Sequence, residues 1–329
     1  MTENRHVPLA PRGENLSIII PTYNCAQYLE ETLRSLQQQN GEWLDRAQLL
    51  VLDDCSTKDN PEEVVQRVWG DRVRFVRHAT NIGPCANFNA CIDYAEHEWI
   101  HILHGDDFVF PDAYQEFSEC IGTTPGAIAV FARAVTVNEE SKWTSVPRLL
   151  GDGWRGPLQY DPVMWASNPV ACSAVLISRR AIDRAGKFDC SFCHCQDWNL
   201  WWRIAKAGPV AYSDRCIAAY REFQGNHTST LLRTGKHVEE MLEQLERVVA
   251  SLEGNGSASG HHPDALYEAA YDRLLSQCRA FLGDPEPFNA NFRMFNRLPR
   301  SFQKRKRRRL LQLQHLDALI RRRKPQLTK

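Results

Sequence analysis

The sequence predicts an α/β fold: a Rossmann-like, mainly parallel sheet flanked by helices, with a helical C-terminal extension. Three observations carry this. Short apolar runs alternate with helical patterns through the first half of the chain. Each run stops at a turn, and two of them stop at paired aspartates. Beyond about residue 233 the strand patterns cease and helical patterns continue to the end. The boundaries expected are a tail over 1–14, an α/β domain over 15–232 and a helical extension with a basic tail over 233–329. A chain of 329 residues, 43% of them hydrophobic, can bury a core of that size.

The first strand is Leu16–Ile20, which ends at Pro21, Thr22, Tyr23 and Asn24. A helix follows with Leu29, Leu33 and Leu36 on one face. The second strand, Leu49–Leu52, runs into Asp53, Asp54, Cys55 and Ser56. Asn60 and Pro61 have the order of a cap and a first helical residue, and that helix reaches Trp69. Val73–Val76 is the third strand, 84–95 a helix, and Trp99–Leu103 the fourth strand, which stops at His104, Gly105, Asp106 and Asp107. Later come strands at Ala127–Phe131 and Ala174–Ser178, separated by a long Gly-, Pro- and Trp-rich loop over 148–171. Loops of that length in compact domains are often functional. Helices are expected over Asp197–Ala207, stopped by Gly208 and Pro209, and over Glu239–Leu252, followed by a flexible break at Gly254–Gly260.

Overall charge is balanced, with 40 basic and 40 acidic residues. Its distribution is not: from Arg300 to Lys329 there are twelve basic residues and one acid, so an acidic body carries a basic tail. The polar N-terminus has no apolar signal region, and no run is long enough to span a bilayer. These features, with eleven scattered cysteines read as reduced thiols, point to a cytoplasmic protein. The glycosylation sequons at Asn15, Asn226 and Asn255 are then chance matches.

In a parallel sheet, ligands sit beyond the carboxyl ends of the strands. Two such ends carry Asp53-Asp54 and Asp106-Asp107. A hard cation, Mn²⁺ or Mg²⁺, takes carboxylate and phosphate oxygens of that kind. One aspartate pair alone is ordinary turn chemistry, whereas two on one sheet edge favour a site.

The order of these pieces resembles family 2 glycosyltransferases of the GT-A fold. The match runs through Leu16 to Asn24, Leu50 to Ser56, Asn81-Ile82-Gly83, Asn87-Phe88-Asn89, Leu103 to Asp107, and Phe188-Asp189 with Gln196 to Trp201, covering about residues 15 to 232. The resemblance implies an inverting, single-sugar transfer from a nucleotide sugar, usually a UDP-sugar, to a glycan or lipid-linked saccharide of the cell envelope, with Mn²⁺ or Mg²⁺ and without nucleic acid. It places Asp53 at the base of the nucleotide and Pro21, Thr22, Tyr23 and Asn81 around the same pocket. It gives Asp107 the metal, Asp106 the ribose or the metal, and Asp197 the role of base. An ordinary helix cap is the alternative for Asp197.

The chain departs from the family pattern at several points. His104 stands where many members have an Asp, Gln196 replaces a Glu, and Phe88 occupies the place of an Arg. Arg221 is not followed by the His of some members, and His227 is a candidate metal ligand in its stead. The alternatives are a sugar nucleotidyltransferase, which would want a Gly-rich basic loop after the first strand, or an inactive nucleotide-binding module.

Other signals are set aside. Gly151, Gly153 and Gly156 match a dinucleotide fingerprint, but no strand precedes them. Cys190, Cys193, His194 and Cys195 have no second cluster at zinc spacing. Trp198, Trp201 and Trp202 at helical spacing read as core rather than as a sugar platform. In the tail, Leu310, Leu313, Leu316 and Ile320 form a stripe beside the basic runs. This reads either as an interfacial helix at the inner face of an anionic membrane or as a helix packed on the domain.

Overall fold

The structure, a computed structural model, describes residues 8–9, 13, 15–147, 149–150, 155–159, 161–223, 227–253 and 263–323. Most of the expected 1–14 tail, residues Gly151 and Gly153, the Gly254–Gly260 break, Asn226 and Asn255 lie outside the described residues. The chain divides into two units, Met1–Tyr160 with Pro169–Glu222, and Asp161–Asn168 with Phe223–Lys329.

The first unit is built on one sheet. In chain order its elements are β1 (Leu16–Thr22), α1 (Ala26–Gln37), β2 (Gln48–Asp53), α2 (Pro61–Trp69), β3 (Arg74–Arg77), α3 (Pro84–Tyr94), β4 (Trp99–Ile102) and β5 (Phe108–Val109). There follow α4 (Ala113–Thr123), β6 (Ala129–Val137), β7 (Trp143–Ser145), β8 (Arg155–Pro157), β9 (Val175–Ser178), α5 (Arg179–Ala185), α6 (Gln196–Ala207) and β10 (Val210–Arg221). The strand order is β3-β2-β1-β4-β9-β6-β10-β5, with β7 beside β6 and β8 beside β10.

From β3 to β4 the sheet is parallel, as strand–helix alternation requires. β9 then runs antiparallel to both β4 and β6, while β6 and β10 are parallel. The central strand β1 is buried along its whole length, so it reads as a continuous apolar run rather than an alternating one. Its register sets Thr22 beside Asp53 and Ile19 beside Ile102, so the ends of β1, β2 and β4 reach one edge.

Two elements escape the periodicity of the sequence. β10 spans 12 residues, but its register shifts between Tyr212 and Ala218 and so breaks the alternation a long strand would show. In α4 the fully buried Glu116 interrupts the apolar face. It receives Arg155, Arg215 and Ser213, which no local pattern predicts.

The expectation that every cysteine is a free thiol is corrected: Cys85, in the first turn of α3, is joined to Cys190 in a disulfide. Trp198, Trp201 and Trp202 are core residues of α6.

The second unit is helical: α7 (His227–Thr234), α8 (Lys236–Glu253), α9 (Pro263–Ala280), α10 (Pro285–Phe292) and α11 (Arg300–Arg323). Tyr271 of α9 packs on Phe295 and Phe302. The expected stripe of α11 is shifted. Phe302, Leu313 and Asp317 face inward, whereas Leu316 is exposed together with Leu311 and Leu319. Asp317 takes the inner position because its carboxylate accepts the Gly283 N–H at 2.9 Å. Among the described residues no helix is long and apolar enough to cross a membrane.

Candidate active site

At the end of β2 both aspartates are consumed by protein donors. Asp53 is fully buried. Its oxygens accept the Thr22 and Ser56 hydroxyls, the Ser56 N–H at 3.0 Å and Arg77 Nε at 2.6 Å. Asp54 is just as enclosed, and accepts Ile82 N–H at 2.8 Å and Gly83 N–H at 2.9 Å. The Asn81 amide donates to the Asp54 carbonyl at 3.1 Å, so the Asn81–Gly83 loop is tied to the strand end. Cys55 turns the chain with a φ of 62°, in the left-handed region, and Asn24 does so with 51°. Asn24 Oδ1 in turn accepts the N–H groups of Thr57 and Lys58. Tyr23 is exposed, whereas Pro21 and Thr22 are buried beneath it.

The turn after β4 is different. Gly105 lies so close to β1 that a Cβ there would stand 2.5 Å from the Thr22 methyl, which ties this turn to the nucleotide-side loop. Asp107 is buried; one oxygen accepts the Arg221 N–H at 2.9 Å, and the other has no hydrogen-bond partner among the described residues. The Ser173 hydroxyl, also unpaired, is near enough to favour the ionised form. Burial, then the neighbouring Asp106 charge, pushes Asp107 well above the usual carboxylate range. Burial raises Asp106 as well, against a lowering influence from His104. Burial lowers the pKa of the His104 imidazole, against a raising influence from Asp106, and its Nδ1 stands 3.8 Å from Asp107 Oδ2.

Ligand atoms of His104, Asp106 and Asp107 lie within 4.8 Å of one another. An octahedral ion with bonds of about 2.1 Å holds adjacent ligands about 3.0 Å apart and opposite ones about 4.2 Å, so the three side chains would draw together to share one ion. An orphaned carboxylate oxygen, a neutral imidazole and two mutually repelling carboxylates fit a divalent cation. No other such group occurs among the described residues, and Cys190 of the cysteine-rich segment is spent in the disulfide.

Two features that the sequence left without roles assemble this site. The first is Arg221, almost fully buried at the end of β10. Beyond its N–H to Asp107, its guanidinium donates to the carbonyls of Asp106 and Asn138 and pairs with Glu31, over the ring of Tyr28 at 4.6 Å. The second is Asn87-Phe88-Asn89 on α3. Asn87 donates to the Leu52 carbonyl and meets His78; Phe88 stacks on His104; Asn89 donates to the Phe188 carbonyl and accepts its N–H. One turn of helix thus ties the β2 end, the His104 turn and the segment ahead of α6. The disulfide joins the same helix to the same segment.

Asp197 is half-buried in the first turn of α6, where it accepts the Trp198 N–H. The Cys172 thiol is pushed up by burial and then by the charges of Asp197 and Asp107. His101 is engaged by Tyr114 and the Ser173 carbonyl, and burial lowers it to about 4. His227 opens α7, and its side chain lies outside the described residues.

Comparison with known proteins bears on the family and the fold. The family model described as glycosyl transferase family 2 matches residues 17–185. A putative teichuronic acid biosynthesis glycosyltransferase, TuaG of Bacillus subtilis, is 23% identical over 241 residues, 71% of this chain and 89% of that one. Among solved structures, S. aureus TarS 1-349 in complex with UDP-GlcNAc aligns with a TM-score of 0.62 at 16% identity, covering 94% of this chain and 89% of that one. A mannosyltransferase from Pyrobaculum calidifontis in complex with GDP-Man and Mn²⁺ aligns at 0.53 and 14% identity, covering 86% and 74%. These two likenesses concern the GT-A fold. With the family model spanning half the chain, the protein belongs to glycosyl transferase family 2 and is a glycosyltransferase.

Proposed function

We propose that the enzyme transfers one sugar, with inversion, from a UDP-sugar to a hydroxyl of a glycan or lipid-linked saccharide of the cell envelope. The observation that carries this reading is the cluster of His104, Asp106 and Asp107, whose ligand atoms lie within 4.8 Å of one another while one buried Asp107 oxygen has no hydrogen-bond partner among the described residues. The UDP moiety is supported by the ligand of TarS, and the envelope glycan by the name of TuaG. The catalytic domain is taken as 15–232.

The nucleotide is received by Pro21, Thr22, Tyr23, Asp53 and Asn81, with Asp106 at the ribose side. The exposed Tyr23 ring is free to stack on a base. Asp53 accepts from a base N–H only if one of its present donors, Ser56 or Arg77, moves aside. Asp106, Asp107 and His104 would hold the divalent cation, with His227 as a further candidate. A bound cation would neutralise the charge that builds on the departing diphosphate. Asp197 accepts the proton of the acceptor hydroxyl as the sugar–oxygen bond forms. The dipole of α6 favours its ionised form.

The test is Asp197→Asn. Donor binding, read by thermal shift with UDP-sugars and Mn²⁺, stays intact, while transfer falls by roughly a hundredfold or more. Transfer near the wild-type rate would assign the base to another residue.

The acceptor side of the reading includes an anionic membrane surface. The outer face of α11 carries Leu311, Leu316 and Leu319 among Lys304, Arg307, Arg308 and Arg309. Each basic residue near such a surface contributes about 1 kcal/mol. The enzyme should sediment with anionic liposomes at low salt and be released at high salt. Indifference to the liposomes would leave α11 a purely structural helix.

A further inference from the structure

The two departures from the family pattern at positions 88 and 104 touch each other. The ring of Phe88 lies on the imidazole of His104 at 4.9 Å between centroids, with only 6° between the planes. Phe88 is itself braced by Phe188, at 5.5 Å. A side chain stacked in this way has lost its rotational freedom about χ2, and its nitrogens point in fixed directions. His104 Nε2 is buried without a partner among the described residues, while Nδ1 faces the orphaned oxygen of Asp107. Leaving buried polar atoms unpaired is costly unless something else engages them. A cation at this point would engage Nδ1 and Asp107 Oδ2 together.

We propose that His104, oriented by its stack on Phe88, is a direct nitrogen ligand of the divalent cation and makes the site select Mn²⁺ over Mg²⁺. The proposal rests on the metal-dependent reading above. Magnesium prefers an all-oxygen shell, whereas imidazole suits the later first-row ions, and manganese accepts both oxygen and nitrogen donors. The set of one imidazole and two carboxylates thus sits on the manganese side of the division. In this picture Phe88 is a positioning residue: it touches neither metal nor substrate and acts through the ring it holds.

The experiment uses the full chain with UDP and Mn²⁺, examined by pulsed EPR for coupling of the manganese to ¹⁴N, with calorimetry of Mn²⁺ and Mg²⁺ alongside. The wild type is expected to show directly bound nitrogen and to prefer Mn²⁺ by at least about tenfold. His104→Asp should lose the nitrogen coupling and bring the two ions near parity. His227→Ala should keep the coupling. Phe88→Leu should keep it too, with Mn²⁺ affinity lowered by about tenfold. Should His104→Asp not fold, the His227→Ala spectrum decides, because both nitrogens of His101 are already engaged. Manganese that binds without nitrogen coupling, yet is lost in Asp106→Asn, overturns the role of His104 and leaves the metal reading standing. Coupling that survives in His104→Asp overturns it as well. Manganese affinity indifferent to both Asp106→Asn and Asp107→Asn overturns the metal reading and this proposal together.

Discussion

Two aspartate pairs end neighbouring regions of the same sheet, and they have opposite hydrogen-bond economies. Asp53 and Asp54 are saturated: three backbone N–H groups, two hydroxyls and a guanidinium converge on their four oxygens. Asp107 keeps a buried oxygen without a partner, and Asp106 beside it raises its pKa further. Both pairs look alike in sequence and both follow a strand, with Asp53, Asp54 and Asp107 buried and Asp106 half-buried. The difference teaches that the first pair is spent on building the loops, whereas the second, on the function proposed, is left for a ligand. An unpaired buried carboxylate oxygen beside a second carboxyl is costly to the fold, and a cation bound there would offset that cost.

The largest effect should come from the unsatisfied pair. Asp107→Asn removes an anionic ligand but retains an oxygen that can accept the Arg221 N–H. The fold should survive, and Mn²⁺-dependent UDP affinity should vanish. Calorimetry that finds this affinity unchanged would break the comparison at its root.

Stability sharpens it next. Asp54→Ala strips the acceptor from the N–H groups of Ile82 and Gly83 and should cost about 3 kcal/mol of folding stability. Asp107→Asn, measured without metal, should cost far less, or stabilise, because burial and the neighbouring Asp106 already disfavour the charged carboxylate that it removes. Equal losses in chemical denaturation would mean that both pairs are structural.

Much of this was legible in the sequence. The parallel half of the sheet follows from apolar runs at Leu16, Leu49 and Trp99, because fully buried strands leave unbroken hydrophobic stretches. The two acidic pairs stand out because their strands end in polar residues. What stayed hidden was non-local. The distinction between the pairs depends on donors from Arg77, Ile82, Gly83 and Arg221, and the last of these lies 114 residues from Asp107. The stack of Phe88 on His104 and the Cys85–Cys190 disulfide depend on α3 crossing two loops, which no periodicity encodes. The tail stripe was misread at Leu316 because Asp317, an acid, takes the inward position.

A milder contrast within the first pair follows. Asp53→Ala should weaken UDP and every UDP-sugar alike, since it releases Thr22, Ser56 and Arg77 together whatever sugar the donor carries. A loss confined to one sugar would move Asp53 to the sugar side.

The smallest effect expected, and the most specific to the second pair, is in pH. Asp106 and Asp107 hold their protons more tightly in the folded state than carboxyls do in an unfolded chain. With a raised folded pKa, the metal-free protein binds more protons than its unfolded form, so this contribution to stability is fully present below the ordinary carboxyl pKa. It is lost as pH rises through the folded values. Manganese reverses the trend, because it binds the deprotonated pair and releases protons on binding, so its affinity should climb with pH over the same range. In Asp106→Asn/Asp107→Asn the metal-free stability should lose this falling component, and no Mn²⁺-linked rise should remain. Denaturation curves collected from acid to neutral pH, with chelator and with Mn²⁺, read both slopes. A wild-type curve parallel to that of the double variant in chelator would show that the pair is not held protonated by its surroundings, and the contrast between the two strand ends would then rest on hydrogen bonding alone.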